Sequence, residues 1–284
     1  MARWLSYLKE RFPLVTYLLL VGAMTSSGVL LYPRAASSPT SAWILAGVGL
    51  LLFFFELRLM DEWKDFEKDK IAHPGRPLPS GLIPVGEVRS VVIAGMLAMV
   101  AFAGVLAALG HHSAGALYFA ITVYLALMFK EFFVGKRLAA MPFFYGVTHQ
   151  VILVPLMAFP AALAHPGRWL ETRTVWLGVT ALGGFFTYEL CRKLDPKAHP
   201  VLQTYPQVYG RGGTLLRILL TGSFGMLGAT FLHLEKTCIP VMSVVLASAI
   251  AWSFRPNLHK IVELMATIGL LVHLACIPLS KLFQ

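Results

Sequence analysis

The feature that most limits how this chain can fold is a series of long apolar stretches separated by short polar loops. Each stretch has roughly 17 to 25 residues, the length a helix needs to cross a hydrocarbon core about 30 Å thick. None alternates polar and apolar residues with a period of two, so membrane-spanning strands are not indicated. We predict one all-α polytopic membrane domain, residues 1–284, with about nine transmembrane helices: 14–32, 41–60, 86–109, 113–129, 139–163, 174–191, 214–233, 237–254 and 261–280.

Composition agrees with a membrane protein, because mean hydropathy is +0.70 and 13% of the residues are charged. The net charge is +10, but the basic residues lie in short loops and form no aromatic-interleaved face, which argues against nucleic-acid binding. In the predicted topology, 19 of the 24 Lys and Arg residues fall on the side of the N-terminus. The positive-inside rule therefore predicts an inner or cytoplasmic membrane protein whose N-terminus and polar loops are cytoplasmic.

The densest polar segment, residues 58–81, follows the second apolar stretch and holds three aspartates spaced four residues apart: Asp61, Asp65 and Asp69. If the helix continues through this segment, the three carboxylates lie on one face. A row of carboxylates suits Mg²⁺, which takes oxygen ligands and shares its shell with phosphate oxygens. The alternative is a solvated mixed-charge loop, in which neighbouring lysines neutralise the acids by helical pairing: Lys64, Lys68 and Lys70.

The same segment resembles the first aspartate-rich motif of the UbiA superfamily of intramembrane prenyltransferases, NxxxDxxxD followed by an RPLxxG turn. In this sequence the motif positions are Asp61, Asp65 and Asp69, and the turn reads RPLPSG at 76–81. The first position is Asp where the family commonly has Asn, which keeps an oxygen ligand. The resemblance implies a helical bundle around a central cavity, in which Mg²⁺ joins acidic motifs to an isoprenoid diphosphate.

The family carries a second motif, DxxxD, at the place where this chain departs from it, in the loop after the sixth stretch. Glu189 can stand for the first acid, but Lys193 occupies the position of the second, and Asp195 is the next acid. Arg192 and Lys193 could contact the diphosphate directly, or they are ordinary cytoplasmic positive charges. The metal ligands that the resemblance implies are Asp61, Asp65, Asp69, Glu189 and Asp195, and its catalytic set is Asp61, Asp65, Asp69, Glu189 and Arg76.

Other basic residues near the same face are candidates for diphosphate contacts. Lys130, Lys136 and Arg137 lie in the loop after the fourth stretch, where each either touches diphosphate or extends its charge from an apolar stem to the membrane surface. Arg76 is the stronger candidate because Pro77, Pro79 and Gly81 stiffen the turn that carries it.

Polar and aromatic residues inside the apolar stretches are candidates for the cavity wall. His149 and Gln150 fall near the middle of the fifth stretch, where polar side chains usually face the bundle interior. They either line a substrate cavity or form interhelical hydrogen bonds. Tyr145 and Tyr188 lie within aromatic clusters near the proposed polar site, where rings either pack or line a prenyl channel.

Three functions are compatible with these features. The leading one is a Mg²⁺-dependent enzyme that ionises an isoprenoid diphosphate and transfers the prenyl group to an acceptor, such as an aromatic ring, a quinone precursor or a lipid. The second is a UbiA-type terpene cyclase, in which the prenyl chain captures its own cation. The third is a membrane transporter, which would place charges near the midplane, whereas the acids here lie at one membrane face.

Overall fold

The computed structural model describes residues 2–33 and 40–282, and helices account for most of them. No strand occurs in these ranges, so the predicted all-α fold is confirmed. Three short 3₁₀ turns, Glu131–Phe133, Pro200–Leu202 and Pro256–Leu258, lie between the helices. The helices are α1 Ala2–Arg11, α2 Leu14–Val29, α3 Thr40–Lys64, α4 Phe66–Ala72, α5 Val85–Ala108, α6 His112–Phe129, α7 Gly135–Ala139, α8 Pro142–Gln150, α9 Leu153–Ala164, α10 Thr172–Cys191, α11 Tyr205–Phe231, α12 Glu235–Phe254, α13 His259–Leu274 and α14 Cys276–Ser280.

Seven helical segments in the described ranges are long and apolar enough to cross a membrane. They are α3, α5, α6, the joined pair α8–α9, α11, α12, and α13 with the 3₁₀ turn before it. The pair α1–α2, bent by 51°, would be an eighth. Helix α10 covers the sixth predicted span and has 20 residues, but it is not among the seven. An integral membrane protein is confirmed, whereas the count of nine spans is not.

Helix α10 packs against α9, α11 and α13 and lies inside the bundle. Its closest approach is to α11, where Gly183 faces Gly225. A Cβ atom on Gly183 would overlap the backbone of Gly225, so the two helices touch through their main chains. Small residues allow this kind of close packing between membrane helices. This contact fixes the end of α10, which carries Glu189, relative to α11.

Replacing Gly183 by Ala is expected to destabilise the fold by about 1–3 kcal/mol, because the added methyl group must push α10 and α11 apart. Thermal unfolding of the purified protein in detergent measures the effect. Gly104→Ala is the matched control, since Gly104 lies on α5 and a methyl group added there would have no neighbouring atom within 4 Å. Equal unfolding temperatures for the two variants would contradict the close contact.

The short helix α1 is tied to the bundle by buried and half-buried polar contacts. Arg11 Nε donates to Glu62 Oε1 at 2.7 Å, and Arg58 forms a second ion pair with the same carboxylate. Trp4 Nε1 donates to Glu87 Oε1 at 2.5 Å at the start of α5. Glu62 is 2% exposed, so this acid of the polar segment serves packing between helices.

The acidic segment is not one continuous helix, which corrects the expectation from its spacing. Helix α3 ends at Lys64, Asp65 has φ −88° and ψ 4°, and α4 begins at Phe66. The Asp65 amide still donates to the Asp61 carbonyl at 2.9 Å, and the Asp69 amide donates to the Asp65 carbonyl at 2.8 Å. The four-residue register therefore persists through the break.

Candidate active site

The acidic segment and the end of α10 meet at one end of the bundle. Helix α4 contacts the 3₁₀ turn at Pro200–Leu202, which belongs to the loop after α10. The pKa of the Arg192 guanidinium is raised, chiefly by the Glu189 carboxylate beside it and further by Asp61. The charges of Arg192 and Asp61 therefore influence each other, and the two predicted motifs lie at the same end of the bundle.

Asp61 and Asp65 carry the unpaired carboxylates of this site. In the described part of the chain, neither side chain has a hydrogen bond or an ion pair. Both side chains reach solvent, yet burial raises the pKa of the Asp65 carboxyl, and nearby Asp69 raises it further against the effect of Lys68. Exposed carboxylates that have no partner of their own can accept a cation.

Asp69, the third aspartate, is engaged by the turn that follows it. Arg76 Nη1 lies 2.8 Å from Asp69 Oδ1 and 2.7 Å from Oδ2, and Asp69 is 5% exposed. The Arg76 amide donates to the His73 carbonyl at 3.1 Å, and Gly81 adopts a positive φ of 79° that favours glycine. The turn thus holds the predicted residue Arg76 against the acidic segment.

Glu189 is neutralised by two basic neighbours on its own helical end. Arg192 Nε lies 2.5 Å from Glu189 Oε2, and Lys193 Nζ lies 2.6 Å from Oε1. Asp195 lies further along, where its carboxylate accepts from the Lys197 amide at 2.8 Å. The altered second motif is therefore a compact ion-pair cluster that presents basic groups beside Asp61.

The chemistry of the site fits Mg²⁺ through two carboxylates. No group of three or more His, Cys, Asp or Glu side chains within residues 2–33 and 40–282 is arranged to hold a metal ion by itself. Mg²⁺ commonly uses one or two carboxylates and completes its shell with waters and substrate phosphates. Asp61 and Asp65 suit that mode, while Asp69, Glu189 and Asp195 have other partners and remain predictions as ligands.

A second polar cluster adjoins Asp61 and includes two of the predicted cavity residues. Lys64 Nζ donates to the Tyr145 hydroxyl and lies 3.0 Å from Glu131 Oε1. His149 stacks on Tyr145 with ring centroids 4.0 Å apart, and its Nδ1 donates to the Tyr145 carbonyl at 2.8 Å. Asp61, Lys64 and His149 line one small pocket with apolar side chains of α3 and α6.

Lys64 and Glu131 adjoin the candidate site, although they were not among the site residues predicted from the sequence. From its spacing, Lys64 was predicted to neutralise the neighbouring aspartates. In the structure its side chain instead extends from α3 to Tyr145 on α8. The signal available in the sequence was its position directly before Asp65, together with an isolated acid, Glu131, in the next loop on the same side. Neither observation shows that the two side chains meet.

The remaining predicted residues lie at varying distances from this centre. Gln150 is half-buried at the last residue of α8, and Tyr188 is half-buried on α10 with its ring 6.3 Å from Phe185. Lys130 extends over the Phe129 ring, 5.5 Å from its centroid. Lys136 and Arg137 are exposed on α7 and form no ion pair within the described residues.

Comparison with known proteins decides the family. A model of the UbiA prenyltransferase family matches residues 19–261. The chain belongs to this family. A search of curated proteins finds no match.

Two solved structures share the UbiA fold with this chain. One is described as giving structural and mechanistic insights into the biosynthesis of digeranylgeranylglyceryl phosphate synthase in membranes. Its TM-score with this chain is 0.64 at 13% sequence identity, and the alignment covers 98% of this chain and 100% of that one. The other is the apo structure of a UbiA homologue from Aeropyrum pernix K1, with a TM-score of 0.64 and 17% identity, covering 94% and 98%. Both likenesses are at the level of the fold. The family supports a membrane enzyme of the prenyltransferase type.

Proposed function

We propose that this protein is a Mg²⁺-dependent prenyltransferase that ionises an isoprenoid diphosphate and transfers the prenyl group to an acceptor. The observation that carries the proposal is the pair of unpaired carboxylates, Asp61 and Asp65, beside the basic cluster of Arg192 and Lys193. A diphosphate needs positive charge on its oxygens and a metal ion held at its edge. The arrangement at the ends of α3 and α10 offers both.

The basic residues of the site act on the leaving group. Arg192, Lys193 and Arg76 can donate hydrogen bonds to diphosphate oxygens, and their existing partners, Glu189 and Asp69, hold them in place. Donors fixed in place before the substrate arrives stabilise developing negative charge without reorganisation. Mg²⁺ bound by Asp61 and Asp65 would supply further positive charge to the departing pyrophosphate.

The polar cluster with Lys64, Tyr145 and His149 adjoins Asp61 and would line the acceptor side of the proposed site. Apolar side chains of α3 and α6 surround it, including Leu57, Leu125, Met128 and Phe129. An apolar wall excludes water from the allylic cation, which water would otherwise capture.

The distribution of basic residues supports a cytoplasmic site in an inner or cytoplasmic membrane. In the predicted nine-span topology, 19 of the 24 Lys and Arg residues lie on the side of the acidic segment. The diphosphate group of the donor is charged and stays in water, whereas its prenyl chain is apolar and stays in the membrane. A site at the cytoplasmic face can therefore bind the diphosphate group from the cytoplasm and the prenyl chain from the membrane.

The direct test uses purified protein with Mg²⁺ and geranyl, farnesyl or geranylgeranyl diphosphate, with and without aromatic acceptors or extracted membrane lipids. We expect pyrophosphate release that depends on an acceptor, together with a prenylated acceptor in the organic layer. If cyclic hydrocarbons or alcohols form without an acceptor, the protein is a terpene cyclase and the proposed prenyl transfer is wrong. Intact diphosphate under every condition would overturn an enzymatic function.

A further inference from the structure

A half-buried cation that the candidate active site does not use, Arg217, lies on α11, one of the helices long and apolar enough to cross a membrane. Six residues earlier on the same helix, Arg211 Nη1 donates to the Ser253 carbonyl in the last turn of α12. Six helical residues span about 9 Å, so the Arg217 backbone lies well inside the bundle end. Within residues 2–33 and 40–282, no acidic side chain forms an ion pair with it. A charge at such depth is costly and usually has a ligand or partner.

Two aromatic rings hold the Arg217 guanidinium in place. Its central carbon lies 3.5 Å from the Tyr209 ring centroid and 5.3 Å from that of Phe143. The Phe143 amide donates to the Tyr209 hydroxyl at 3.0 Å, and the Phe143 ring stacks on Phe186 at 5.2 Å. Cation–π contacts stabilise the charge and fix its position. The rings from α8 and α11 are therefore joined around the guanidinium before any ligand arrives.

One edge of the guanidinium has donors without acceptors. Nη1 donates to the Gly213 carbonyl at 2.8 Å, which occupies the other end of the group. Nε is buried and has no hydrogen-bond partner among the described residues, and Nη2 makes no hydrogen bond to them. Nε and Nη2 together form the fork through which Arg binds two oxygens of a phosphate or carboxylate. The free edge of Arg217 therefore suits an oxyanion.

This edge belongs to a different side of α8 from the candidate active site. Phe143, which contacts Arg217, and Tyr145, which contacts Lys64, are two residues apart on α8. Side chains two residues apart in a helix point to nearly opposite sides. Since Lys64 shares its pocket with Asp61, an oxyanion at Arg217 would be a second ligand, distinct from the donor diphosphate.

The surroundings of Arg217 face lipid. The neighbours of the two contacting residues, Phe144 on α8 and Leu216 on α11, are 59% and 56% exposed although both are large and apolar. Such side chains contact hydrocarbon in a membrane-spanning helix. The Arg217 side chain reaches back to Gly213, one turn nearer the end of α11 that is predicted to be cytoplasmic. A long basic side chain that turns toward the membrane surface can reach a lipid headgroup.

Further positive charge lies at the same end of α8. Lys136 and Arg137 are exposed on α7, the short helix directly before α8. Anionic lipids of the cytoplasmic leaflet are attracted to basic groups near the membrane surface, and basic pockets between membrane helices bind their headgroups. The net charge of the ligand should be negative, because Arg217 has no acidic partner among the described residues.

We propose that Arg217, held between Tyr209 and Phe143, binds the phosphate of an anionic phospholipid that stays between α8 and α11 and braces these helices. The lipid is a bound structural ligand, neither donor nor acceptor, and its binding does not depend on the proposed prenyl transfer. Because α8 also carries Tyr145 and His149, the lipid would stabilise the helix that forms one wall of the pocket beside Asp61.

Lipid binding to the purified full chain in a neutral detergent tests the proposal. Native mass spectrometry follows the first lipid bound, with phosphatidylglycerol and phosphatidylcholine of the same acyl chains. We expect the anionic lipid to bind about tenfold more tightly, and Arg217→Gln to remove this difference, as the loss of a charge-assisted hydrogen bond would. Phosphatidylglycerol should also raise the unfolding temperature of the wild type and leave that of Arg217→Gln unchanged. Equal affinities in the wild type, or an unchanged preference in the variant, would overturn the proposal.

Two further variants separate a specific site from general positive charge. Arg211→Gln removes an exposed cation from the same helix and should keep the preference for phosphatidylglycerol. A loss equal to that of Arg217→Gln would assign the preference to surface charge and overturn the site. Arg217→Lys keeps the charge without the fork, so it should recover only part of the affinity. Full recovery would overturn bidentate binding. Gel filtration verifies that each variant is folded, and Arg217→Lys decides the outcome if Arg217→Gln is not.

Soluble anions distinguish the source of the oxyanion. Inorganic phosphate at millimolar concentration, or a prenyl thiolodiphosphate with Mg²⁺, is added to the protein with phosphatidylglycerol bound. Neither should displace the lipid. Displacement by inorganic phosphate would assign Arg217 to a soluble anion, and displacement by the thiolodiphosphate would assign it to the donor. Either result would overturn the proposal and leave the proposed prenyl transfer standing.

Discussion

Replacing Asp65 by Asn is expected to lower Mg²⁺-dependent pyrophosphate release by about 10²–10³-fold, because one of two unpaired carboxylates that can hold the metal ion is lost. Asn has nearly the same size as Asp, and the Asp65 side chain makes no ion pair or hydrogen bond in the described part of the chain. The fold should therefore persist. Initial rates of pyrophosphate release at saturating donor and acceptor measure the effect.

Glu67→Gln is the control for this substitution. Glu67 lies two residues away on α4, its side chain is 79% exposed, and its ion-pair partner is Lys70. Exposed pairs of this kind contribute little, so Glu67→Gln should retain the wild-type rate. A similar fall in both variants would indicate a general effect of charge on the segment and remove the special role of Asp65.

Replacing Arg192 by Gln is expected to raise the KM for the donor and to lower kcat, with a combined loss of about 10²-fold in kcat/KM. Arg192 is the basic residue whose charge interacts with both Glu189 and Asp61. Its bidentate geometry suits phosphate oxygens, so Arg192→Lys should restore part of the loss. Lys193 Nζ lies 2.6 Å from Glu189 Oε1, and this ion pair should persist in the variant and protect the fold.

Lys197→Gln is the matched control, because Lys197 is an exposed cation in the same loop. It should leave both kinetic constants close to wild type. If Arg192→Gln also left the donor KM unchanged, Arg192 would be an ordinary cytoplasmic positive charge, which is the alternative that its sequence position allows.

The helical fold could be predicted because each apolar stretch carries its own signal, through length and composition. The number of membrane spans was harder to predict than the helices themselves. Helix α10 lies inside the bundle and contains polar residues, so its composition does not mark it as a membrane-spanning helix. Its place in the bundle depends on contacts such as Gly183 against Gly225, and the sequence does not show which helices will touch.

The acidic motif could be located from spacing, but its internal pairing could not. The break at Asp65 leaves the four-residue register intact, yet it gives the three aspartates different surroundings. Asp69 is bound by Arg76, seven residues further on, while Asp61 shares a pocket with His149 from α8. Such pairings depend on how loops turn and helices cross, and local sequence does not determine either.

The measurement that tests the central claim most directly is the binding of a farnesyl thiolodiphosphate to the purified protein as Mg²⁺ is titrated. If the ends of α3 and α10 form a shared metal and diphosphate site, tight binding should require Mg²⁺ and should be lost with EDTA and in Asp65→Asn. Binding that is indifferent to Mg²⁺ and to Asp65 would contradict the site.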